Sequence, residues 1–403
     1  MKPKAHILPV IVLAQFCCTS LWFAGNAVMS DLVLNFALPP EALGHLTSAV
    51  QLGFITGTLL FAFLRVADGF SPSKVFFFCA LAGAVFNLEA ALGTNNFASL
   101  LIFRFLTGFS LAGIYPVGMK MASDYFRKGL GRSLGFLAGA LVIGTAFPHL
   151  LKAISGSSSL NWRVVLIFTS GLAVIGGLLI LLFVPNGPFR SRMQKPDLTA
   201  MFRVFRKSEF RAAAFGYFGH MWELYAFWAF VPAILSSYKL LHRNVNFNIS
   251  LVSFLVIGSG GLACIVSGFI AEKFGPKVTA GSALFLSGLC CLLSPLFFLF
   301  ASEEFLIIFL LFWGLIVVAD SPLFSTLVAQ DASVESRGTV LTIVNSVGFA
   351  ISIVSLQLLN LLNELYNSIF LFMILAPGPA LGLFAMFRKK SGSNHSINSA
   401  SIK

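Results

Sequence analysis

Charged residues are scarce in this chain of 403 residues. Only 10% of its residues are charged and 57% are hydrophobic, whereas soluble proteins have about 25% charged and about 45–50% apolar residues. This scarcity excludes a water-soluble globular enzyme. The length accommodates twelve helical spans of about 20 apolar residues each, together with loops, a linker and tails.

Motifs for nucleotide-driven or hydrolytic chemistry are also absent. The sequence contains no Gly-x-x-x-x-Gly-Lys-Ser/Thr loop, no His-Glu-x-x-His and no Gly-x-Ser-x-Gly. No Cys or His spacing is typical of a zinc site, and the six cysteines lie inside apolar runs, where a disulfide framework is not expected. We therefore expect no enzymatic activity, no metal site and no cofactor, which favours transport.

Long, continuously apolar runs dominate what is present, and such runs are typical of membrane-spanning helices rather than of alternating β-barrel strands. A first set predicts spans 1 to 6 at residues 7–30, 43–65, 74–92, 98–121, 133–152 and 163–184. A second set predicts spans 7 to 12 at residues 211–236, 249–271, 278–300, 305–329, 338–361 and 367–387. The predicted fold is an all-α membrane protein with twelve transmembrane helices in two pseudo-symmetric six-helix bundles.

One long polar stretch, from Asn186 to Arg211, separates the two sets of spans. It predicts an N-terminal bundle at 1–188, a cytoplasmic linker at 189–210, a C-terminal bundle at 211–388 and a cytoplasmic tail at 389–403. With both termini in the cytoplasm, 22 of the 27 basic residues fall on the cytoplasmic side, as expected for helices oriented by short basic loops. The basic net charge therefore needs no nucleic-acid partner.

Two cytoplasmic turns, after spans 2 and 8, repeat one pattern: a small residue, an acid, a Phe two places later, then a turn and a base. The acids are Asp68 and Glu272, which are 204 residues apart, close to half the chain. Duplication of a six-helix unit leaves such a spacing.

These turns resemble the loop pattern of the major facilitator superfamily of secondary transporters. The second turn fits that pattern at Gly268, Glu272, Lys273, Gly275 and Lys277, and the first retains only Asp68 and Lys74. Span 4 resembles a second family pattern at Arg104 and Gly108, whereas span 5 matches the antiporter motif only partly, because Pro148-His149 replaces its Gly-Pro. The resemblance implies a monomeric bacterial inner-membrane transporter whose halves rock around a central site that binds a small-molecule substrate and protons.

Charges in the two turns could form a cytoplasmic latch. An acid at one helix end, facing the positive N-terminus of another helix and nearby bases, can close a contact in one conformation and release it in the other. The candidates are Asp68, Lys74, Glu272 and Lys273. The alternative is that they are solvated loop charges that tune topology.

Ionisable residues inside spans are functional candidates because burying a charge in a membrane costs several kcal/mol. His220 and Glu223 in span 7 are three residues apart and lie on adjoining parts of one helix face. Both can exchange protons, and His does so near neutral pH. We expect proton coupling here, with a hydrogen-bonded pair that fixes helix packing as the alternative.

Asp320 and Arg104 are the other candidates for proton coupling. Asp320 lies in span 10 beside Pro322, and a disrupted helix at membrane depth is tolerated where it lines a cavity. A shift of 204 residues sets Asp320 opposite Pro116, so both halves are expected to bend there. A structural ion pair or cap is the alternative for Asp320. Arg104 could support coupling or structure, or bind an anionic substrate directly.

Neutral polar and aromatic side chains in the spans could contact a substrate, although such groups often only glue helices together. The candidates for the substrate cavity are Trp22, Asn26, Gln51, Tyr115, Tyr217, Phe227 and Asn345. The sequence favours a proton-coupled secondary transporter for a small polar or anionic metabolite. A proton-coupled drug or metabolite efflux antiporter is the alternative, and a non-transporting receptor is a remote one.

Overall fold

The computed structural model describes residues 5–64, 66–126, 130–155, 162–190, 203–242, 245–332, 337–366 and 370–388, and in these ranges the chain forms helices without strands. Residues 191–202 of the predicted linker and the predicted tail at 389–403 lie outside the described residues. The helices of the N-terminal half are Ile7–Thr19, Ala24–Ala27, Met29–Phe36, Ala42–Phe63, Val66–Gly69, Pro72–Glu89, Phe97–Leu111, Tyr115–Tyr125, Leu130–Ser155 and Arg163–Phe183.

The helices of the C-terminal half are Ser208–Leu241, Ile249–Phe274, Pro276–Phe300, Glu303–Ala319, Ser321–Asp331, Arg337–Tyr366 and Pro377–Phe387, with a 3-10 turn at Leu371–Leu375. Within the described part of the chain, nine helices are long and apolar enough to cross a membrane, and they coincide with spans 2 and 4 to 11. Spans 1 and 12 are shorter apolar helices, and span 3 has 18 residues.

Span 1 differs from the continuous helix predicted for it. Its first helix ends at Thr19, a short helix resumes at Ala24, and a third segment continues to Phe36. The carbonyls of Leu21 and Trp22 lie in this interruption and accept hydrogen bonds from Arg104. A side chain from span 4 therefore replaces the missing intrahelical donors, which makes the break tolerable at membrane depth.

Local sequence explains where several helices begin. Asn96 caps span 4 through a reciprocal capping box with Ser99, which satisfies backbone donors that would otherwise be unpaired. Gly275 has a φ of +83° between spans 8 and 9, a conformation that glycine adopts without steric cost. Pro276 then starts span 9, where its fixed φ suits the first turn of a helix.

The two halves repeat one packing arrangement. A Cβ on Gly108 in span 4 would collide with the carbonyl of Val50 in span 2, and a Cβ on Gly314 in span 10 would collide with the carbonyl of Val256 in span 8. Both residues of the second contact lie 206 positions after their counterparts in the first. Each half thus brings two backbones together where only glycine fits.

The breaks in spans 4 and 10 follow the same shift of 206 residues. The second segment of span 4 begins at Tyr115 and that of span 10 begins at Ser321, each with a proline at its start. The predicted bend in both halves is therefore present, but the predicted register is wrong. Pro116 corresponds to Pro322, and Asp320 corresponds to Ile114, because the two halves differ by two residues around the turns after spans 2 and 8.

The halves meet along two seams of different chemistry. Spans 5 and 8 approach closely at Gly139 and Gly261, where a Cβ on either residue would lie about 3 Å from the carbonyl oxygen of the other. Spans 2 and 11 instead exchange polar contacts. The Asn360 Oδ1 accepts from the Gly44 amide at 3.3 Å, the Gln357 amide donates to Ser48 Oγ at 2.8 Å, and Ser352 Oγ donates to Gln51 Oε1 at 3.2 Å.

Candidate functional site

Span 7 carries most of the candidate site. Its helix runs from Ser208 to Leu241, starts three residues before the predicted bundle boundary at residue 211, and buries most of its side chains. Different faces of this helix point into different surroundings. Glu223 and His220 contact spans of the C-terminal half, whereas Tyr225 contacts Trp22 of the N-terminal half.

Glu223 is enclosed by donors from two neighbouring spans. Its carboxylate accepts from Trp313 Nε1 at 2.6 Å, from Ser287 Oγ at 2.8 Å and from Cys291 Sγ at 3.4 Å. The residue has no solvent exposure. Phe227, one turn further along span 7, stacks on Trp313 with the ring centroids 4.3 Å apart. Both side chains therefore face the interior of the C-terminal bundle, where hydrogen bonds fix the carboxylate.

The acidic partner of His220 is Asp320 of span 10, and not Glu223, which is close to it in sequence. Its Nδ1 lies 2.8 Å from Oδ1 of Asp320, and each side chain is 1% exposed. The His220 ring also lies beside those of Tyr217 and Phe324, with centroids 6.0 and 6.1 Å away. The predicted face that joins His220 to Glu223 thus divides into two sites, because each side chain reaches its own partner on another span.

Asp320 occupies the interruption of span 10. The first segment ends at Ala319 and the second begins at Ser321. The backbone carbonyl of Asp320 accepts from the amides of Leu323 and Phe324 at 3.0 and 2.9 Å, so the residue caps the second segment. Its side chain remains available for His220. A cap and an ion-pair partner are therefore combined in one residue.

Arg104 lies in the N-terminal half, whereas these acids lie in the C-terminal half. Its guanidinium donates to the carbonyls of Leu21 at 3.2 Å and Trp22 at 2.5 Å, and the residue is 3% exposed. Gly25 leaves room for it, because a Cβ there would lie 3.2 Å from Nε. Among the described residues no carboxylate lies within ion-pair distance of Arg104. Within the described residues, backbone carbonyls hold the buried cation.

Aromatic rings from both halves fill the space where the halves meet. Trp22 stacks with Tyr225 and Phe349 at centroid distances of 5.8 and 5.6 Å and packs against Phe54 at 4.9 Å. Trp228 joins through an edge contact with Tyr225 at 5.5 Å. We call these five side chains the aromatic cluster. Spans 1 and 2 contribute two rings, and spans 7 and 11 contribute three.

The remaining predicted cavity residues lie on spans 1, 2, 4, 7 and 11. Asn26 donates to Thr47 at 2.8 Å within the N-terminal half, and Gln51 is fully buried against span 11. Tyr217 packs against Gly348 of span 11. Tyr115 and Asn345 are half-buried on spans 4 and 11.

The predicted latch is described only in part. Lys74, Glu272 and Lys273 are exposed at the turns next to spans 3 and 8. In the described portion of the chain, Glu272 makes no ion pair, and the side chain of Asp68 lies outside the described residues. The latch stays a prediction.

Sequence reasoning missed the groups that hold Glu223. Ser287, Cys291 and Trp313 lie in apolar runs where nothing distinguishes them from packing residues. The polar contacts of Ser352 and Asn360 across the halves were missed as well. Only the pairing of spans in three dimensions identifies these side chains.

Comparison with known proteins agrees with this architecture. The family model of the Major Facilitator Superfamily matches residues 11–356. The human organic anion transporter MFSD10 has the same fold, with a TM-score of 0.73 at 15% identity over 96% of this chain and 100% of that one. A bacterial homologue of the lysosomal transporter Spinster, in an inward-facing unoccupied conformation, has a TM-score of 0.69 at 16% identity over 95% and 91% of the chains.

The alignments to relatives in sequence cover less of the chain than the structural matches do. An efflux pump of Fusarium oxysporum, FUBT, is 27% identical over 170 residues, which are 40% of this chain and 28% of that protein. The chain thus spans under a third of that relative's length. An uncharacterized transporter of Bacillus subtilis, YceJ, is 24% identical over 78% of both chains. The chain belongs to the major facilitator superfamily, and it is an integral membrane protein.

Proposed function

We propose that this protein is a proton-coupled secondary transporter that moves a small polar or anionic metabolite by alternating access. The observation that carries the proposal is the contact between His220 and Asp320, 2.8 Å apart and almost completely buried at a helix break. A charge buried without a partner costs several kcal/mol. Such a pair therefore changes its protonation when water reaches it, and this couples proton binding to the conformation.

Glu223 supports the proposal from the same helix. Its carboxylate has three hydrogen-bond donors, and no cation of the described residues lies within ion-pair distance. Glu223 and the His220–Asp320 pair are thus two acidic sites whose span 7 residues lie within one turn of each other. The protonation of both therefore depends on how far water penetrates the C-terminal bundle. Rocking of the two halves about the aromatic cluster would change that penetration.

The alternative of a proton-driven efflux antiporter draws on the similarity to the FUBT efflux pump. The two candidates differ in the direction in which the substrate moves relative to the proton. We further propose a monomer in a bacterial inner membrane with both termini cytoplasmic. The distribution of basic residues supports this orientation.

The test is transport by purified protein in liposomes with an imposed pH gradient. A panel of labelled organic acids, sugars and amino acids is offered together with cationic dyes. We expect accumulation of one solute class that collapses when a protonophore abolishes the gradient. Solute movement in the same direction as the proton flux identifies symport. Solute movement in the opposite direction identifies antiport. Transport that is unaffected by the protonophore would contradict proton coupling.

A further inference from the structure

The aromatic cluster contains an excess of hydrogen-bond donors. The indole Nε1 atoms of Trp22 and Trp228 and the amide Nε2 of Gln51 have no hydrogen-bond partner within the residues that the structure describes. Each of these side chains is at most 1% exposed. Buried donors without partners are rare in proteins and each costs about 1–3 kcal/mol. An indole can only donate, and no described group accepts from either indole, so a ligand can supply the acceptors.

These donors share one neighbourhood. Trp22 and Trp228 both contact Tyr225, and Trp22 also stacks on Phe349 of span 11. The hydroxyl oxygen of Ser352 lies 3.2 Å from Gln51 Oε1 and 2.8 Å from the carbonyl oxygen of Phe349, which places Gln51 beside the cluster. The unpaired N–H groups of spans 1, 2 and 7 thus belong to side chains in or next to the cluster, to which span 11 contributes Phe349.

The electrostatics of the cluster favour a negative ligand. Arg104 donates to the carbonyl of Trp22 itself, and in the described chain no carboxylate within ion-pair distance neutralises it. Three carboxylates are buried among the described residues. Glu223 bonds to spans 9 and 10 and Asp320 contacts His220, both in the C-terminal bundle. Asp124 lies at the end of the Tyr115–Tyr125 helix, beside Gly187. The N-terminal side of the cluster therefore has a positive potential that is not balanced locally.

The ring contacts define the apolar part of the ligand. Trp22 stacks on Tyr225 and Phe349, and Phe54 makes a tilted ring contact with Phe349. All three contacts join one half to the other. Separation of the halves breaks these contacts and exposes the flat faces of several rings. A planar ligand can replace the lost stacking.

We infer that the substrate is an aryl carboxylate: a flat aromatic body that stacks within the aromatic cluster and a carboxylate that accepts hydrogen bonds from Trp22, Trp228 and Gln51. This inference rests on the proposed transport function and specifies its substrate class. A carboxylate can accept about four hydrogen bonds, so one carboxylate has enough acceptor capacity for the three unpaired donors. Aromatic ammonium compounds are excluded, because they would add donors to a site that already has too many.

The test is calorimetric binding to the purified protein in detergent, measured against empty micelles. The probes are benzoate, naphthoate, the corresponding arylmethylamines, and decanoate as a flexible acid of similar carbon number. We expect the aryl carboxylates to bind and the amines and decanoate not to bind. Preference for the amines, equal binding of decanoate, or no binding of any aryl carboxylate would overturn the inference.

Variants localise the binding to the cluster. Trp22→Phe and Trp228→Phe keep an aromatic ring but remove an unpaired donor, and each is expected to weaken naphthoate binding about tenfold, as for a hydrogen bond to a charged group. Trp222→Phe is the matched control, because the Trp222 indole already donates to the carbonyl of Ile374 at 3.2 Å. Equal affinity in all three variants would contradict the assignment, and so would equal loss.

Binding in detergent needs no proton gradient, so it separates the two proposals. Naphthoate binding without gradient-driven uptake would overturn proton coupling and leave the substrate class intact. Gradient-driven transport of a different solute, with no binding of aryl carboxylates, would overturn the substrate class alone.

Discussion

The two halves of the molecule share a framework and differ in charge. Gly108 against Val50 in the first half and Gly314 against Val256 in the second make equivalent backbone contacts. The N-terminal half buries the cation Arg104 against backbone carbonyls, and it also buries His149 and Asp124. The C-terminal half instead buries two acids and a histidine that contact one another or neutral donors.

This difference separates two tasks. A duplicated framework gives both halves the same helix crossings and the same helix breaks, which suits rigid rocking. In the proposed mechanism, proton exchange uses His220, Glu223 and Asp320, which lie in the C-terminal half. An arginine remains charged and can only supply a fixed positive potential.

The largest expected effect would break the shared framework. Gly108→Ala and Gly314→Ala each force a Cβ into a backbone carbonyl of a neighbouring span, so each should destabilise the protein by about 3 kcal/mol. Thermal unfolding in detergent measures the loss. Gly268→Ala is the control, because nothing lies within 4 Å of a Cβ there. If one half tolerated the change, the framework would not be equivalent.

Arg104→Met would test the role of the buried cation. It leaves the carbonyls of Leu21 and Trp22 without donors, and we expect a loss of about 2–3 kcal/mol in unfolding free energy. Lys152→Met removes a partly exposed ion pair with Asp31 and should cost less than about 1 kcal/mol. Similar losses in both variants would mean that burial does not distinguish the two cations.

Glu223 offers a smaller effect on stability. Glu223→Gln retains an acceptor for Trp313 and should leave the unfolding temperature nearly unchanged. Glu223→Leu leaves the Trp313 N–H unpaired and should cost about 1–2 kcal/mol. If the Gln variant unfolded at a temperature as low as that of the Leu variant, the carboxylate charge itself, rather than an acceptor for Trp313, would stabilise the fold.

The smallest expected effect concerns the seam between spans 2 and 11. Gln357→Leu removes a hydrogen bond to Ser48 across the halves, worth about 1 kcal/mol or a fivefold shift between conformations. Spin labels on Glu41→Cys and Glu364→Cys report the distance between the predicted outer ends of these spans. Thr56→Val is the control, because Thr56 bonds only within its own helix. An unchanged distance distribution would argue against a gating seam.

The sequence predicted the helical framework well because apolar length and loop charge determine it. Pro116 and Pro322 indicated the breaks in spans 4 and 10, and both breaks are present. The interruption of span 1 has no such signal, because Arg104, which donates to its carbonyls, lies in another span.

Residue partners were harder to predict than helices. The spacing along span 7 predicted that His220 pairs with Glu223. In the structure His220 contacts Asp320 of span 10, a contact between two helices that spacing within one helix cannot reveal. Ser287 and Cys291 gave no signal at all, because a polar group in an apolar run is identified only by the buried carboxylate that it reaches.

The most direct test of the central claim compares accumulation with exchange in Asp320→Asn liposomes, using the solute that the wild-type protein accumulates. We predict that the variant exchanges this solute across the membrane but no longer concentrates it against a gradient when a pH difference is imposed. Glu304→Gln, which neutralises an exposed carboxylate, should do both. Undiminished gradient-driven accumulation by Asp320→Asn would contradict the account.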